Sequence, residues 1–319
     1  MNLNDLNPEQ RIAAETLEGA VLILAGAGSG KTRAITYRIA NLLTRGVPAN
    51  EILAITFTNK AAREMRERVD NLAGNSARSA WILTFHACCA RILRQDIEKL
   101  GYKRAFTIYD EDDTSAVIKD IIKRRNLDDK VFPPKEIRAA ISDAKNKALS
   151  PAELIEQSAG DKRKETIADL YKEYEKRLIT SNALDFDDLL LRTLELFAQH
   201  PPVLQYYRNK FKYIHVDEYQ DTNHAQYLFV KLLAAEHGNL CVVGDDDQSI
   251  YSWRGADITN ILDFEKDFAN TQVIKLERNY RSTQNILDAA NQVIAHNMGR
   301  KDKTLWTERG DGDLITLFR

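Results

Sequence analysis

The eight residues Ala25-Gly-Ala-Gly-Ser-Gly-Lys-Thr32 constrain the fold of this chain more than any other stretch, because they set three glycines between an apolar run and an amphipathic one. Val21–Leu24 reads as a buried strand, and 33–43, with Ile35, Ile39, Leu42 and Leu43 on one face, reads as a helix. A glycine loop between strand and helix is a phosphate cradle. Backbone N–H groups can point into it only if side chains stay out, which Gly26, Gly28 and Gly30 allow. Lys31 adds a point charge for the β- and γ-phosphates, and the Thr32 hydroxyl suits a magnesium ion. The usual pattern begins with Gly where this chain has Ala25, at a position that shapes the turn rather than approaching the phosphates. A chance glycine-rich turn is the competing reading, and it explains neither the strand, the lysine nor the hydroxyl.

A length of 319 residues suggests two domains with a fragment of a third. The 44% hydrophobic and 29% charged residues are those of an ordinary soluble globular protein. No apolar run approaches a membrane span, and Met1–Asp5 shows neither a basic region nor a signal core, so the expected location is cytoplasmic. Cys88, Cys89 and Cys241 lack metal-ligand spacing and read as reduced structural thiols. The net charge of −2 carries no global nucleic-acid signal, so any DNA affinity must be local.

Strand-like and helix-like runs alternate in the first and last thirds. Residues 52–57 and 81–85 read as strands, with Asn59 capping a helix over 60–72 between them; 213–216, 240–243 and 273–276 are further strands. From about Ala87 to Leu184 helical runs dominate, broken by Gly101, Pro133-Pro134, Pro151 and Gly160. The expected architecture is an α/β domain with a parallel sheet, split by an all-helical insertion.

Two further segments supply chemistry. In Val216-Asp-Glu-Tyr-Gln-Asp221 an apolar strand ends in two carboxylates, at the sheet edge where the glycine loop also lies. Asp217 would hold magnesium, and Glu218 would orient and deprotonate an attacking water. In Val243–Ala256 the amide of Gln248 can sense a γ-phosphate without competing for the metal. Tyr251, Trp253 and Arg254 can stack on bases and hold a backbone phosphate, or else pack beneath the sheet edge.

Taken in order, these segments resemble the amino-terminal half of a superfamily one DNA helicase of the UvrD/Rep/PcrA group, over essentially the whole chain. Leu6–Gln10 resembles the Q motif and Ala25–Thr32 motif I. Residues 56–65 match motif Ia, which touches single-stranded DNA and places Phe57, Thr58 and Asn59 among the contacts. Thr84–Ala87 resembles the next DNA-contacting motif, with Thr84 and His86, and 183–189 the segment that re-enters the core. Asp217–Asp221 is motif II, Gly244–Gly255 motif III, and Asn279-Tyr-Arg-Ser282 motif IV. The resemblance implies a RecA-like P-loop NTPase domain 1A (1–86 and 188–277), a helical insertion 1B (87–187), and the start of a domain 2A (278–319). It implies ATP and Mg2+ as cofactors. Gln10 would read the adenine edge, Tyr280 would stack on adenine, Arg281 would act as an arginine finger, and Arg33 would lie near the nucleotide. Single-stranded DNA and single-strand/duplex junctions would be the substrates of a monomeric ATPase and helicase, with repair or replication proteins as partners and no membrane.

The family continues through motifs V and VI, whereas this chain stops at Leu314–Arg319, where a strand of 2A would start. The expectation is an amino-terminal fragment that binds nucleotide weakly and cannot unwind alone. Residues 119–147 hold nine Lys or Arg against five acids, which reads as a DNA-facing patch or as a solvated helix face. Two other classes stay open: a P-loop kinase, which leaves 251–254 and 279–282 unexplained, and a nucleotide-gated, noncatalytic single-strand-binding or interaction module.

Overall fold

The computed structural model describes residues 1–297 and 299–316, apart from the side chains of Asn75 and Arg254. In chain order it runs α1 (Pro8–Glu15), β1 (Val21–Ala25), α2 (Lys31–Thr44), β2 (Ile52–Thr56), α3 (Asn59–Ala73), β3 (Trp81–Thr84) and α4 (Phe85–Asp96). There follow β4 (Thr107–Ile108), α5 (Glu111–Arg124), α6 (Pro134–Asn146), α7 (Pro151–Gln157), α8 (Lys162–Thr180), β5 (Ala183–Leu184), α9 (Phe186–Gln199) and α10 (Pro201–Lys210). The remainder is β6 (Tyr213–Val216), α11 (His224–Ala234), β7 (Leu240–Gly244), α12 (Thr259–Leu262), α13 (Phe264–Asp267), β8 (Gln272–Leu276) and α14 (Gln284–Ile294).

The chain divides into two compact units, Met1–Thr84 with Tyr207–Thr222 and Leu233–Arg319, and Phe85–Tyr206 with Asn223–Leu232. In the first, a parallel sheet has the order β3-β2-β6-β7-β1-β8 among the described residues. Its middle strands β1, β2 and β7 are buried at every position, as parallel strands covered on both faces must be. Val21 and Ile23 join Ile35, Ile39 and Leu42 of α2 and Ile52 and Ala54 of β2 in one apolar cluster. Arg38 and Asn41 of α2, both buried, donate to the carbonyls of Ala13, Leu17 and Ala14, which fixes α1 against α2.

The second unit builds its core from Ile118, Ile121 and Ile122 of α5, Ile137 and Ile141 of α6, and Leu170, Tyr171, Tyr174 and Leu178 of α8. Lys145 of α6 is drawn inside: its side chain is fully buried, with Nζ 2.7–2.8 Å from Glu175, Asp185 and Asp188. Burial alone would lower this ammonium, but Asp188 and Asp185 outweigh it and hold it above its usual value. The basic run of 119–147 is thereby thinner at the surface than its composition suggests. Arg138 also pairs with Glu111, and Arg124 with Asp120.

Several expectations need correction. Thr58, not Asn59, caps α3: its hydroxyl accepts the N–H of Ala61, so the helix begins one residue earlier. Phe85 opens α4 instead of closing β3. The insertion contains a short parallel pair, β4 with β5, where strands were not expected. Residues 314–316 carry no regular structure, and 317–319 of the expected strand lie outside the described residues. No helix among the described residues is long and apolar enough to cross a membrane.

Candidate functional site

Because every pairing in the large sheet is parallel, the carboxyl ends of β6, β7 and β1 lie side by side on one edge. Those ends carry Asp217–Glu218, Gly244–Gln248 and Ala25–Gly30 respectively. The glycine loop leaves β1 with Gly28 at φ 73° and Gly30 at φ 85°, left-handed conformations that glycine adopts without strain. Crowding adds a second reason. A Cβ on Gly28 would lie 2.7 Å from Asn279 Nδ2 and 2.8 Å from Arg281 Cβ, and one on Gly30 would strike the amide of Gln10. The neighbours that exclude side chains here are the protein's own. Ser29 closes the loop internally, its hydroxyl donating to the Gly26 carbonyl at 2.7 Å.

Lys31 opens α2, and its Nζ is 3.1 Å from Glu218 Oε2, which joins the glycine loop to the acidic corner. Thr32 follows it in the same helical turn, and Arg33 donates to the Asp5 carbonyl at 2.7 Å. Asp217 is 6% exposed, and burial together with the charge of Glu218 pushes its carboxyl up to about 7, with Lys31 compensating only in part. Glu218 takes a left-handed φ of 51°, a strained conformation for a residue with a side chain.

Gln10 is buried and engaged at both ends of its amide: Nε2 donates to the Ser29 carbonyl at 2.8 Å, and Oε1 accepts the Asn7 N–H in a capping box. Tyr280 is 43% exposed, and its hydroxyl accepts from Asn7 Nδ2 at 2.9 Å. Arg281 is exposed, with its N–H on Asn279 Oδ1 at 2.7 Å. Gln248 turns to its own loop, its amide donating to Asp245 Oδ2 and its N–H to the Asp245 carbonyl. The structure thus brings Gln10, the loop, Lys31, Glu218 and Tyr280 into one neighbourhood, while the Gln248 amide is engaged by Asp245.

The expected DNA contacts fall in separate places. Phe57, Thr58 and Asn59 lie where β2 passes into α3, and Thr84 ends β3. Tyr251 and Trp253 are exposed, with ring centroids 6.3 Å apart. The Arg254 side chain lies outside the described residues. His86 sits in the second unit, 5.1 Å from the Phe186 ring, and burial lowers its imidazole from the usual value.

Three residues that sequence reasoning passed over tie the site together. Asn279 Nδ2 donates to the Ala27 carbonyl at 2.5 Å, while Oδ1 accepts the N–H groups of Arg281 and Ser282, both at 2.7 Å. Gln220 is buried, donates to Glu218 Oε2 at 3.0 Å and accepts the Asp245 N–H at 3.0 Å, linking the second and third segments. Lys303 is buried among Asp245, Asp246 and Asp247. Asn279 and Gln220 stood inside quoted motifs, but a neutral amide in a motif does not announce which side it serves. Asn279→Ala is expected to cost about 1–3 kcal/mol in urea unfolding, since the N–H groups and the carbonyl it serves lose a partner.

A glycine loop off an inner strand of a parallel sheet, facing an acidic corner two strands away, defines the fold as RecA-like. The chain belongs to the UvrD/REP helicase family: residues 6–269 match the UvrD/REP helicase N-terminal domain, and 274–319 match the UvrD-like helicase C-terminal domain. It is 55% identical over 318 residues to the ATP-dependent DNA helicase PcrA of Bacillus subtilis (strain 168). It is 55% identical to that of Staphylococcus aureus (strain Mu50) and 54% identical to that of Staphylococcus epidermidis. These alignments cover 99% of this chain and 43% of each relative, so the chain spans less than half the length of the curated relatives it matches.

Proposed function

We propose that this chain carries the ATP-hydrolysing and strand-gripping part of a DNA helicase, working on single-stranded DNA and single-strand/duplex junctions. The observation that carries the reading is the Lys31–Glu218 pair, which puts the phosphate lysine and the water-activating carboxylate within 3.1 Å of each other. In this reading Lys31 exchanges Glu218 for the β- and γ-phosphates, and Glu218, released, takes the proton of the attacking water. Ala25 through Thr32 cradle the phosphates, and Tyr280 stacks on adenine against Gln10 and Arg33. Arg281 offers a planar fork to charge spreading over the phosphoryl oxygens. Gln248 leaves Asp245 to sense the γ-phosphate.

A hard divalent cation fits the oxygen donors of Thr32 and Asp217. Asp217 is buried with only partial compensation from Lys31, so magnesium would balance its charge. When bound, magnesium neutralises charge on the phosphates. The domains are read as 1A at 1–86 and 188–277, 1B at 87–187 and the start of 2A at 278–319, the last supported by the family match over 274–319. A cytoplasmic monomer acting with repair or replication proteins completes the proposal.

The test is ATP turnover with and without oligo-dT. Stimulation by the strand that disappears in Lys31→Ala is expected. Strand binding without turnover would instead favour a nucleotide-gated binding module, and indifference to DNA would defeat both. Exposed Tyr251 and Trp253 supply the stacking platform, so Trp253→Ala should weaken oligo-dT binding by about 1–3 kcal/mol, measured by fluorescence anisotropy. Unchanged affinity with a lowered melting temperature would make Trp253 a packing residue.

A further inference from the structure

The segment Arg300–Lys303 holds the turn that follows β7. Lys303 Nζ, on a side chain 2% exposed, lies 2.9 Å from Asp245 Oδ1 and 2.6 Å from Asp247 Oδ2, and also pairs with Asp246. Arg300 grips Asp247 with two prongs, Nε to Oδ1 at 2.9 Å and Nη2 to Oδ2 at 2.7 Å. The Lys301 N–H donates to Asp246 Oδ2 at 2.7 Å. Three adjacent carboxylates in a largely buried turn would repel one another, and the lysine ammonium supplies the cation that lets them share it. Asp245 is the shared part. It accepts both donors of Gln248, and its own N–H reaches Gln220, which holds Glu218. The exposed Ile250, Tyr251 and Trp253 follow immediately.

We propose that Lys303 is a positioning residue that sets the Asp245–Gln248 turn, and through it the placement of Gln248 and of the Tyr251–Trp253 pair. The turn then shifts only when the Arg300–Lys303 segment shifts. That segment falls in the residues matching the UvrD-like C-terminal domain, so displacement there is delivered to the turn that senses nucleotide and strand. The strand-binding consequence rests on the proposed function; the holding of the turn rests on the contacts alone.

Lys303→Met and Lys303→Arg in the full 319-residue chain test the assignment by peptide-resolved amide hydrogen exchange and oligo-dT binding. In the Met variant, amides of 245–254 are expected to exchange about tenfold faster or more while β1 and β7 keep their protection. Oligo-dT affinity is expected to fall about tenfold, and the Arg variant to stay within about threefold of the parent. Unchanged exchange over 245–254, or acceleration spread equally over β1 and β7, would overturn the proposal. If the parent chain fails to bind oligo-dT, the proposed function falls while the exchange result still decides the role of Lys303. Asp247→Asn, which weakens the Arg300 grip and leaves Lys303 with Asp245 and Asp246, should give a smaller acceleration in the same peptide and covers the case in which the Met variant does not fold.

Discussion

Glu218→Gln is expected to bind ATP with affinity within a few-fold of the parent and to lose turnover by about 10²–10⁴, the range for removing a general base. The substitution keeps length and shape, and the amide can still face Lys31 and Gln220, so the cradle should survive. Only the proton acceptor goes. Fluorescent-nucleotide titration and steady-state phosphate release separate the two effects. Turnover unchanged with binding intact would remove Glu218 from the base role. A parallel loss of binding would instead mean that the 3.1 Å pair with Lys31 shapes the loop.

The second large effect lies in the core of the second unit. Lys145→Ala leaves Glu175, Asp185 and Asp188 buried without the ammonium that all three share, and the neighbouring Arg192, which pairs with Glu175 and Asp188, is itself shared with Glu195. Breaking a buried ion cluster by removing one member costs about 3–5 kcal/mol. Urea unfolding of the chain should show that loss. Adding Asp188→Asn should recover part of it, because burial and Asp185 already push the Asp188 carboxyl up to about 7. Additive losses in the double variant would refute the shared cluster.

Much of this was legible in the residues. The glycine loop, the acidic strand end and the alternation of apolar runs announce a parallel sheet with its chemistry at one edge, because each signal is local and periodic. Lys145 illustrates what was not. Counted among nine basic residues it looks like surface charge, and only the fold brings Glu175, Asp185 and Asp188 to it from 30 to 43 positions away. Gln248 likewise carries the expected residue type, but its partner Asp245 was chosen by turn geometry. The bridging of Asn279 to Ala27 spans 252 positions, beyond any local pattern.

That last separation also governs when the loop can be finished. β1 is synthesised early, yet both of its partners, β7 and β8, come after residue 239, and the Asn279–Ala27 brace comes later still. At roughly 5–20 residues per second, translation leaves the completed loop sequence waiting for on the order of tens of seconds before its brace exists. The core residues 118–183 of the second unit, by contrast, are contiguous and can close during that interval. A nascent chain released before Asn279 would carry the whole glycine motif without the contact that shapes it.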